Sequence, residues 1–325
     1  MPYSSLISAF DLHLENYCKV ILQQKPIELY EPESYILKLG GKRIRPLLAL
    51  IGCDLFEKDY KIALDAALSV ELFHNFSLIH DDILDAAPLR RNQPTVHTKW
   101  NTNIAILSGD VMLVKAFKVL ENYSADEFKK IHLLFSKTSI EVCEGQQNDM
   151  NFEIRNNVSV DEYIEMITNK TAVLLGCSLQ MGAICAQANV KEQQAIYNFG
   201  KHLGIAFQLL DDYLDAFAPD KDKFGKQIGG DIISNKKTYL LLKALNVANK
   251  NQLNEINNLS KEQNNDVKVK NMLQLYTDLN VKQLCLNEAD KHTQIAIEEL
   301  YKLNTNSLKT KTLENFALNL LQRSI

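Results

Sequence analysis

The sequence predicts an all-α protein, and three observations carry that reading. All 12 glycines and all 7 prolines fall at or before Gly230, so the last 95 residues contain neither helix breaker. Apolar residues recur at helical spacing, as in Leu313, Phe316, Ala317, Leu320 and Leu321. No series of alternating strands is found. Composition does not split the chain, since no Pro/Gly/Ser-rich linker, charge block or repeat divides its 325 residues, and one domain is expected. The 46% hydrophobic and 23% charged residues supply enough apolar material for a large core.

The elements follow in chain order. Leu39-Gly40-Gly41-Lys42-Arg43-Ile44-Arg45-Pro46 reads as a glycine pair, a basic cluster and a proline, a loop whose backbone can approach an anion. The next helix changes character along one face, from Ile62, Ala66 and Val70 through His74 and Ser77 to Asp81 and Asp85. Ile131, Leu134, Phe135 and Val142 mark a further helix. Thr171 to Ala188 is the longest apolar stretch, but Ser178, Gln180 and Gln187 interrupt it, and its small residues suit close helix packing rather than a membrane span. A second Gly/Lys loop runs from Pro219 to Gly230 and holds Lys226. Beyond it, helices are expected to be joined by Asn-rich turns, such as the stretch around Asn249–Asn265.

Other function classes are poorly served. A net charge of -4 gives no global attraction to nucleic acid. None of the six cysteines forms a C-x-x-C pair and no signal peptide precedes them, so reduced, buried thiols in the cytoplasm are expected rather than disulfides or zinc. No Ser-His-Asp or Cys-His nucleophile signature is present.

The chemistry is concentrated in two repeats of one pattern. In Asp81-Asp82-Ile83-Leu84-Asp85 the first and last aspartates lie one helical turn apart, with Asp82 beside them. Such carboxylates repel one another unless cations join them, and hard oxygen ligands call for magnesium bridging to phosphate. A lone copy is as often a solvated acidic patch. Asp211-Asp212-Tyr213-Leu214-Asp215 repeats the spacing, with Gln208 one turn earlier and apolar Phe207, Leu209 and Leu210 around it. Two such helices facing across a bundle would hold a metal cluster against a polyanion. Arg90-Arg91, Lys170 (followed by Thr171), Lys42, Arg45, Lys226 and Lys236 supply cations around these motifs. Together they suggest two diphosphates, one held through metal and one bound directly.

At this point the sequence resembles the trans-isoprenyl (polyprenyl) diphosphate synthases, over Gly40 to Thr238. Gly40 to Pro46 is similar to the family's G-G-K-x-x-R-P loop. Ser77 to Asp85, with Arg90-Arg91 and Pro94-Thr95-Val96-His97, is similar to its first aspartate-rich region. Glu144-Gly145-Gln146 with Asp149, Lys170-Thr171, and Phe207 to Asp212 match later landmarks. The resemblance implies one isoprenyl diphosphate synthase domain over residues 1–325, a helical bundle with a central active-site cavity. It implies that Lys42, Arg45, His74 and Arg91 bind isopentenyl diphosphate. Asp81, Asp85 and Asp211, supported by Asp82 and Asp215, would hold magnesium on an allylic diphosphate, three ions with substrate bound. Arg90, Lys170, Thr171, Gln208, Lys226 and Lys236 would contact that allylic group. A cytoplasmic homodimer without a transmembrane segment or nucleic-acid partner is also implied. Departures exist: Asn92 stands where the family has glycine after the two arginines, Asn235-Lys236 replaces Gly-Lys, and the interval from Asp215 to Lys226 is one residue longer than the family's.

The implied reaction is ionisation, condensation and elimination, with departing diphosphate as the base. Product length turns on Phe76, five residues before Asp81, with Ser77 beside it. An aromatic ring there should stop the growing chain, giving a C15–C20 product, although a ring that simply packs in the core fits the same sequence. A medium- or long-chain synthase, a terpene cyclase and a non-catalytic partner subunit are the alternatives. A cyclase needs no Gly40–Arg45 site, and a partner subunit needs no complete aspartate motifs.

Overall fold

The computed structural model describes residues 3–218 and 228–322, and within them helices dominate. The chain forms two compact units. The first comprises Met1–Ser136, Cys177–Tyr197 and Asn304–Lys309, and the second Lys137–Gly176, Asn198–Leu303 and Thr310–Ile325.

In the first unit, α1 (Ser4–Ile21) buries Leu6, Phe10, Leu14, Cys18 and Ile21, a stripe at three- and four-residue intervals. It packs on α2 (Ile27–Lys38), α3 (Ile44–Asp54) and α4 (Leu64–Leu84). Helix α4 is surrounded: its residues Ala66 to Phe73 are all buried, and α3 and α6 (Thr102–Lys118) cover it. Together with the preceding turn it forms Tyr60–Leu84, the one described segment long and apolar enough to cross a membrane. Two-thirds of its apolar window (67%) is buried inside the protein, as befits a core helix.

After α4 the chain makes a small hairpin, β1 (Leu89–Arg90) against β2 (Gln93–Pro94), pairing Leu89 with Pro94 and Arg90 with Gln93. Its two loop residues, Arg91 and Asn92, both have positive φ (52° and 61°). That is the geometry of a tight hairpin turn twisted to match its strands, and asparagine tolerates the left-handed conformation better than most residues. The departure at Asn92 therefore preserves the turn. Short helix α5 (Val96–Lys99) leads into α6.

Helix α7 (Ala125–Ile154) runs from the first unit into the second. There α8 (Val160–Ile167) opens on a capping box formed by Ser159 and Glu162. It passes through a π-helical stretch, Thr168–Ala172, into α9 (Val173–Cys185). Next come α10 (Val190–Phe217), α11 (Gly230–Ile233), α12 (Tyr239–Val247), α13 (Lys250–Leu259), α14 (Asn265–Asp278), α15 (Val281–Leu300) and α16 (Ser307–Gln322). The last buries Leu313, Ala317, Leu320 and Leu321, as its periodicity predicts.

Two sequence expectations need correction. The Asn-rich stretch is not a turn over its length, because Lys250–Leu259 is a helix. Asn249 caps its start, accepting from the Asn251 and Gln252 amides, and Ile256 and Leu259 are buried. Asparagine clusters mark helix starts here as well as breaks, since the side chain satisfies amides that the first turn leaves open. The cysteines are all free, but only Cys18, Cys53, Cys177, Cys185 and Cys285 are buried, while Cys143 is exposed on α7.

Candidate functional site

In the first unit, the glycine loop and the end of α4 assemble a basic cluster beside an acidic one. Gly40 and Gly41 have positive φ (80° and 132°). A Cβ on Gly41 would lie 2.8 Å from Arg91 Nη2, so glycine lets the Arg91 guanidinium lie on the loop and donate to the Gly40 carbonyl. Arg43, also left-handed (φ 49°), turns the loop into α3. Its guanidinium donates to the Glu71 carboxylate and the Leu37 carbonyl. Asn75 Nδ2 supports Glu71 from one turn further along α4, donating to its Oε1 at 2.9 Å. Sequence reasoning passed over this network. Its available signal was Glu71, a carboxylate on an otherwise apolar part of α4.

The predicted residues Arg45 and His74 meet, with Arg45 Nη1 3.2 Å from His74 Nε2. Burial first, then the guanidinium groups of Arg45, Arg91, Arg90 and Arg43, push the His74 pKa well below its ordinary value. The imidazole is therefore neutral and its Nε2 accepts from Arg45. Burial likewise lowers the Arg45 pKa to about 10, and its buried Nε has no hydrogen-bond partner. A buried guanidinium donor left open is what an anion-binding pocket presents before its ligand arrives. Lys42 stands exposed in the same loop.

The three aspartates of the first motif separate by burial. Asp85 is exposed, Asp81 partly so, and Asp82 only 1% exposed. Arg90 Nε donates to both Asp82 oxygens at 2.9 and 2.8 Å, and Nη2 lies 2.7 Å from Oδ1. Burial opposes the Arg90 charge, but Asp82, Asp81 and Asp85 more than reverse this and raise its pKa. Asp82 thus pins the hairpin to α4, while Asp81 and Asp85 occupy the outward face. Phe76 is 8% exposed, its ring 5.6 Å from Phe73 and 4.8 Å from the His80 ring. Ser77 Oγ donates to the His74 carbonyl at 2.8 Å.

In the second unit a cavity of about 200 Å³ gathers six of the predicted residues: Lys170, Thr171, Gln208, Asp211, Asp215 and Lys236. Asp149, Tyr163 and Asp231 also line it. Lys170 sits in the π-helical stretch, a distortion that often marks a functional position. A Cβ on Gly145 would lie 2.2 Å from the Lys170 amide, so glycine allows α7 to approach the backbone there. One turn on, Asp149 Oδ2 accepts from Lys170 Nζ at 2.6 Å. Asp215 Oδ2 accepts from the Asp231 amide at 3.0 Å, which joins α10 to α11.

Asp212 points inward, 5% exposed, and its Oδ2 accepts from Tyr163 Oη at 2.5 Å and the Tyr239 amide at 3.1 Å. Burial raises its pKa to about 7, against the lowering effect of those two donors. Lys226 lies outside the described residues.

Among the described residues no group of three or more His, Cys, Asp or Glu side chains could hold a metal ion by itself. The donors at hand are aspartate oxygens one turn apart on Asp81/Asp85 and on Asp211/Asp215. That set fits magnesium, which keeps several waters and completes its shell with phosphate oxygens rather than with an all-protein cage.

The sequence profile described as "Polyprenyl synthetase" matches residues 26–277. The chain belongs to the polyprenyl synthetase family. A geranylgeranyl diphosphate synthase of Saccharolobus solfataricus is 35% identical over 99% of this chain and 97% of its own length. A geranylgeranyl pyrophosphate synthase of Geoglobus acetivorans is 39% identical over 70% of this chain and 71% of its own. A crystal structure of a geranylgeranyl pyrophosphate synthase superposes with a TM-score of 0.91 at 43% identity, covering 97% of this chain and 98% of the other. The all-α expectation holds, the helices are those of the isoprenoid synthase fold, and this polyprenyl synthetase is a short-chain prenyltransferase.

Proposed function

We propose that this prenyltransferase condenses isopentenyl diphosphate with an allylic diphosphate (dimethylallyl, geranyl or farnesyl) to give a product of about C20. The geranylgeranyl diphosphate synthases among its relatives support the length, and the observation that carries the chemistry is the cavity joining Asp211 and Asp215 to Lys170, Thr171, Gln208 and Lys236. Carboxylates and cations around one small cavity suit a polyanion bound partly through metal and partly by direct contact. Asp81, Asp85, Asp211 and Asp215 are the proposed magnesium ligands. Asp82 has an indirect part, through Arg90. When bound, magnesium would supply positive charge against the diphosphate oxygens.

The residues then act by placement. Lys170, held by Asp149, with Thr171, Gln208 and Lys236 orients the allylic diphosphate. Lys42, Arg45, His74 and Arg91 hold isopentenyl diphosphate without metal, and Arg45 Nε offers it an unfilled donor. The allylic C–O bond breaks, and its electron pair leaves with diphosphate. The double bond of isopentenyl diphosphate then forms the new C–C bond, and diphosphate takes the proton lost in elimination. An apolar channel beneath the first aspartate motif would exclude water from the cation. Phe76 and Ser77 are the proposed chain-length determinants, since Phe76 lies on α4 little more than one turn before Asp81.

Residues 1–325 acting as one catalytic domain, a homodimer and a cytoplasmic location belong to the same proposal. Exposed Leu107, Val114 and Leu133 are apolar side chains that a subunit interface would cover. The test supplies isopentenyl diphosphate, each allylic starter and magnesium, and sizes the products. Absence of condensation with every starter would overturn the proposal.

A further inference from the structure

Within the second unit, the residues assigned to the allylic diphosphate come from three separate segments. Lys170 and Thr171 follow α8, Asp211 and Asp215 lie on α10, and Lys236 precedes α12. One buried carboxylate on α10 bonds to the helix before the first segment and to the helix after the third. Asp212, on α10 between the two proposed ligands, accepts at a single oxygen from Tyr163 Oη of α8 and from the amide of Tyr239, which opens α12. Tyr163 is 2% exposed and is the polar member of the buried face of α8, beside Met166 and Ile167.

Resting on the reading of this cavity as the allylic diphosphate site, we propose that Tyr163 is a positioning residue that acts through Asp212. Its hydroxyl fixes the Lys170–Thr171 segment against the helix carrying Asp211 and Asp215. A carboxylate with one oxygen occupied by two donors inside the protein is poorly placed to serve as a metal ligand and well placed as a tie. A charge-assisted bond between helices fixes their spacing more tightly than apolar packing does, because it is short and directional. The first unit uses the same device independently. Asp82, the second aspartate of its own motif, is buried and holds Arg90 while Asp81 and Asp85 face outward. In both motifs the second aspartate therefore ties a cation-bearing segment to the acidic helix.

The test is Tyr163→Phe, which keeps the ring and its packing and removes one hydroxyl. The KM for the allylic diphosphate should rise about tenfold, the scale of one charge-assisted hydrogen bond. The magnesium concentration giving half-maximal rate should rise with it, while the KM for isopentenyl diphosphate stays near the wild-type value and the thermal midpoint falls by only a few degrees. Asp212→Asn, which keeps a neutral acceptor for both donors, should show the same selective pattern in weaker form. An unchanged allylic KM in Tyr163→Phe would overturn the proposal. So would a parallel loss in both KM values, kcat and thermal midpoint, which marks a general packing role. Wild-type protein that condenses no substrate overturns the functional reading instead, so the two failures are distinguishable.

Discussion

Glu71 is 2% exposed and is the counter-charge for Arg43, whose side chain is also largely buried. Removing one partner of such a pair leaves a buried charge, which costs about 3–5 kcal/mol. Glu71→Ala should therefore lower stability by an amount of that order in denaturant titration and raise the KM for isopentenyl diphosphate, because Arg43 joins the loop carrying Lys42 to the helix start carrying Arg45. A stability change under 1 kcal/mol would show that the network contributes little. Phe76→Ala addresses product length. If the ring limits elongation, the product lengthens by one or more five-carbon units, read by chromatography of the dephosphorylated alcohols. An unchanged product distribution would leave Phe76 as core, consistent with its contacts to Phe73 and His80. At this scale the sequence distinguished residue types but not directions. Helical spacing put Asp81 and Asp85 on one face, yet only the partner of Asp82, eight residues away across the hairpin, shows that its carboxylate turns inward.

Elements show why some boundaries were legible and others were not. The stripes of α1 and α16 reveal their buried faces because three- and four-residue periodicity is local. The π-helical stretch at Thr168–Ala172 has no such signature, and it lies where Gly145 of α7 meets the backbone of Asn169 and Lys170. Gly145→Ala should therefore affect function more than a mid-helix alanine normally would. Alanine favours the helix by about 1 kcal/mol, but its methyl must displace the Lys170 backbone, a strain of about 1–3 kcal/mol. The expected result is a raised KM for the allylic diphosphate with little change in the KM for isopentenyl diphosphate. Equal effects on both would place the strain elsewhere.

At the scale of the whole molecule, stability depends on contacts that no local pattern announces. His202 on α10 and His292 on α15 meet with their Nδ1 atoms 2.8 Å apart and their rings stacked. Burial first, then His292 and Lys201, lowers the His202 pKa to about 4, with Glu299 opposing and Lys291 adding to the shift. Burial lowers that of His292 too, against the pull of Glu288. Both folded values lie below that of an unfolded histidine, so the unfolded chain binds more protons as the solution is acidified. The contribution is full above about pH 6.5 and is lost as pH falls toward 4, a change of about 2–3 kcal/mol. Urea midpoints should fall accordingly between pH 7.5 and 5, and His202→Gln should flatten that part of the profile. An identical slope in the variant would assign the acid sensitivity to other groups.

The two aspartate motifs, the glycine loop and the helical architecture were all legible in the sequence, because each is written in adjacent residues. The ties among Asp212, Tyr163 and Tyr239, or Arg43 and Glu71, span 27 to 49 positions and required the fold. The measurement that tests the central claim most directly is condensation of radiolabelled isopentenyl diphosphate with farnesyl diphosphate, with and without magnesium, in wild type, Asp81→Ala and Asp211→Ala. The account predicts a C20 product from the magnesium-supplied wild type and loss of at least two orders of magnitude in rate for each variant and for the chelated enzyme. Undiminished turnover in either variant, or in the presence of excess chelator, would contradict it.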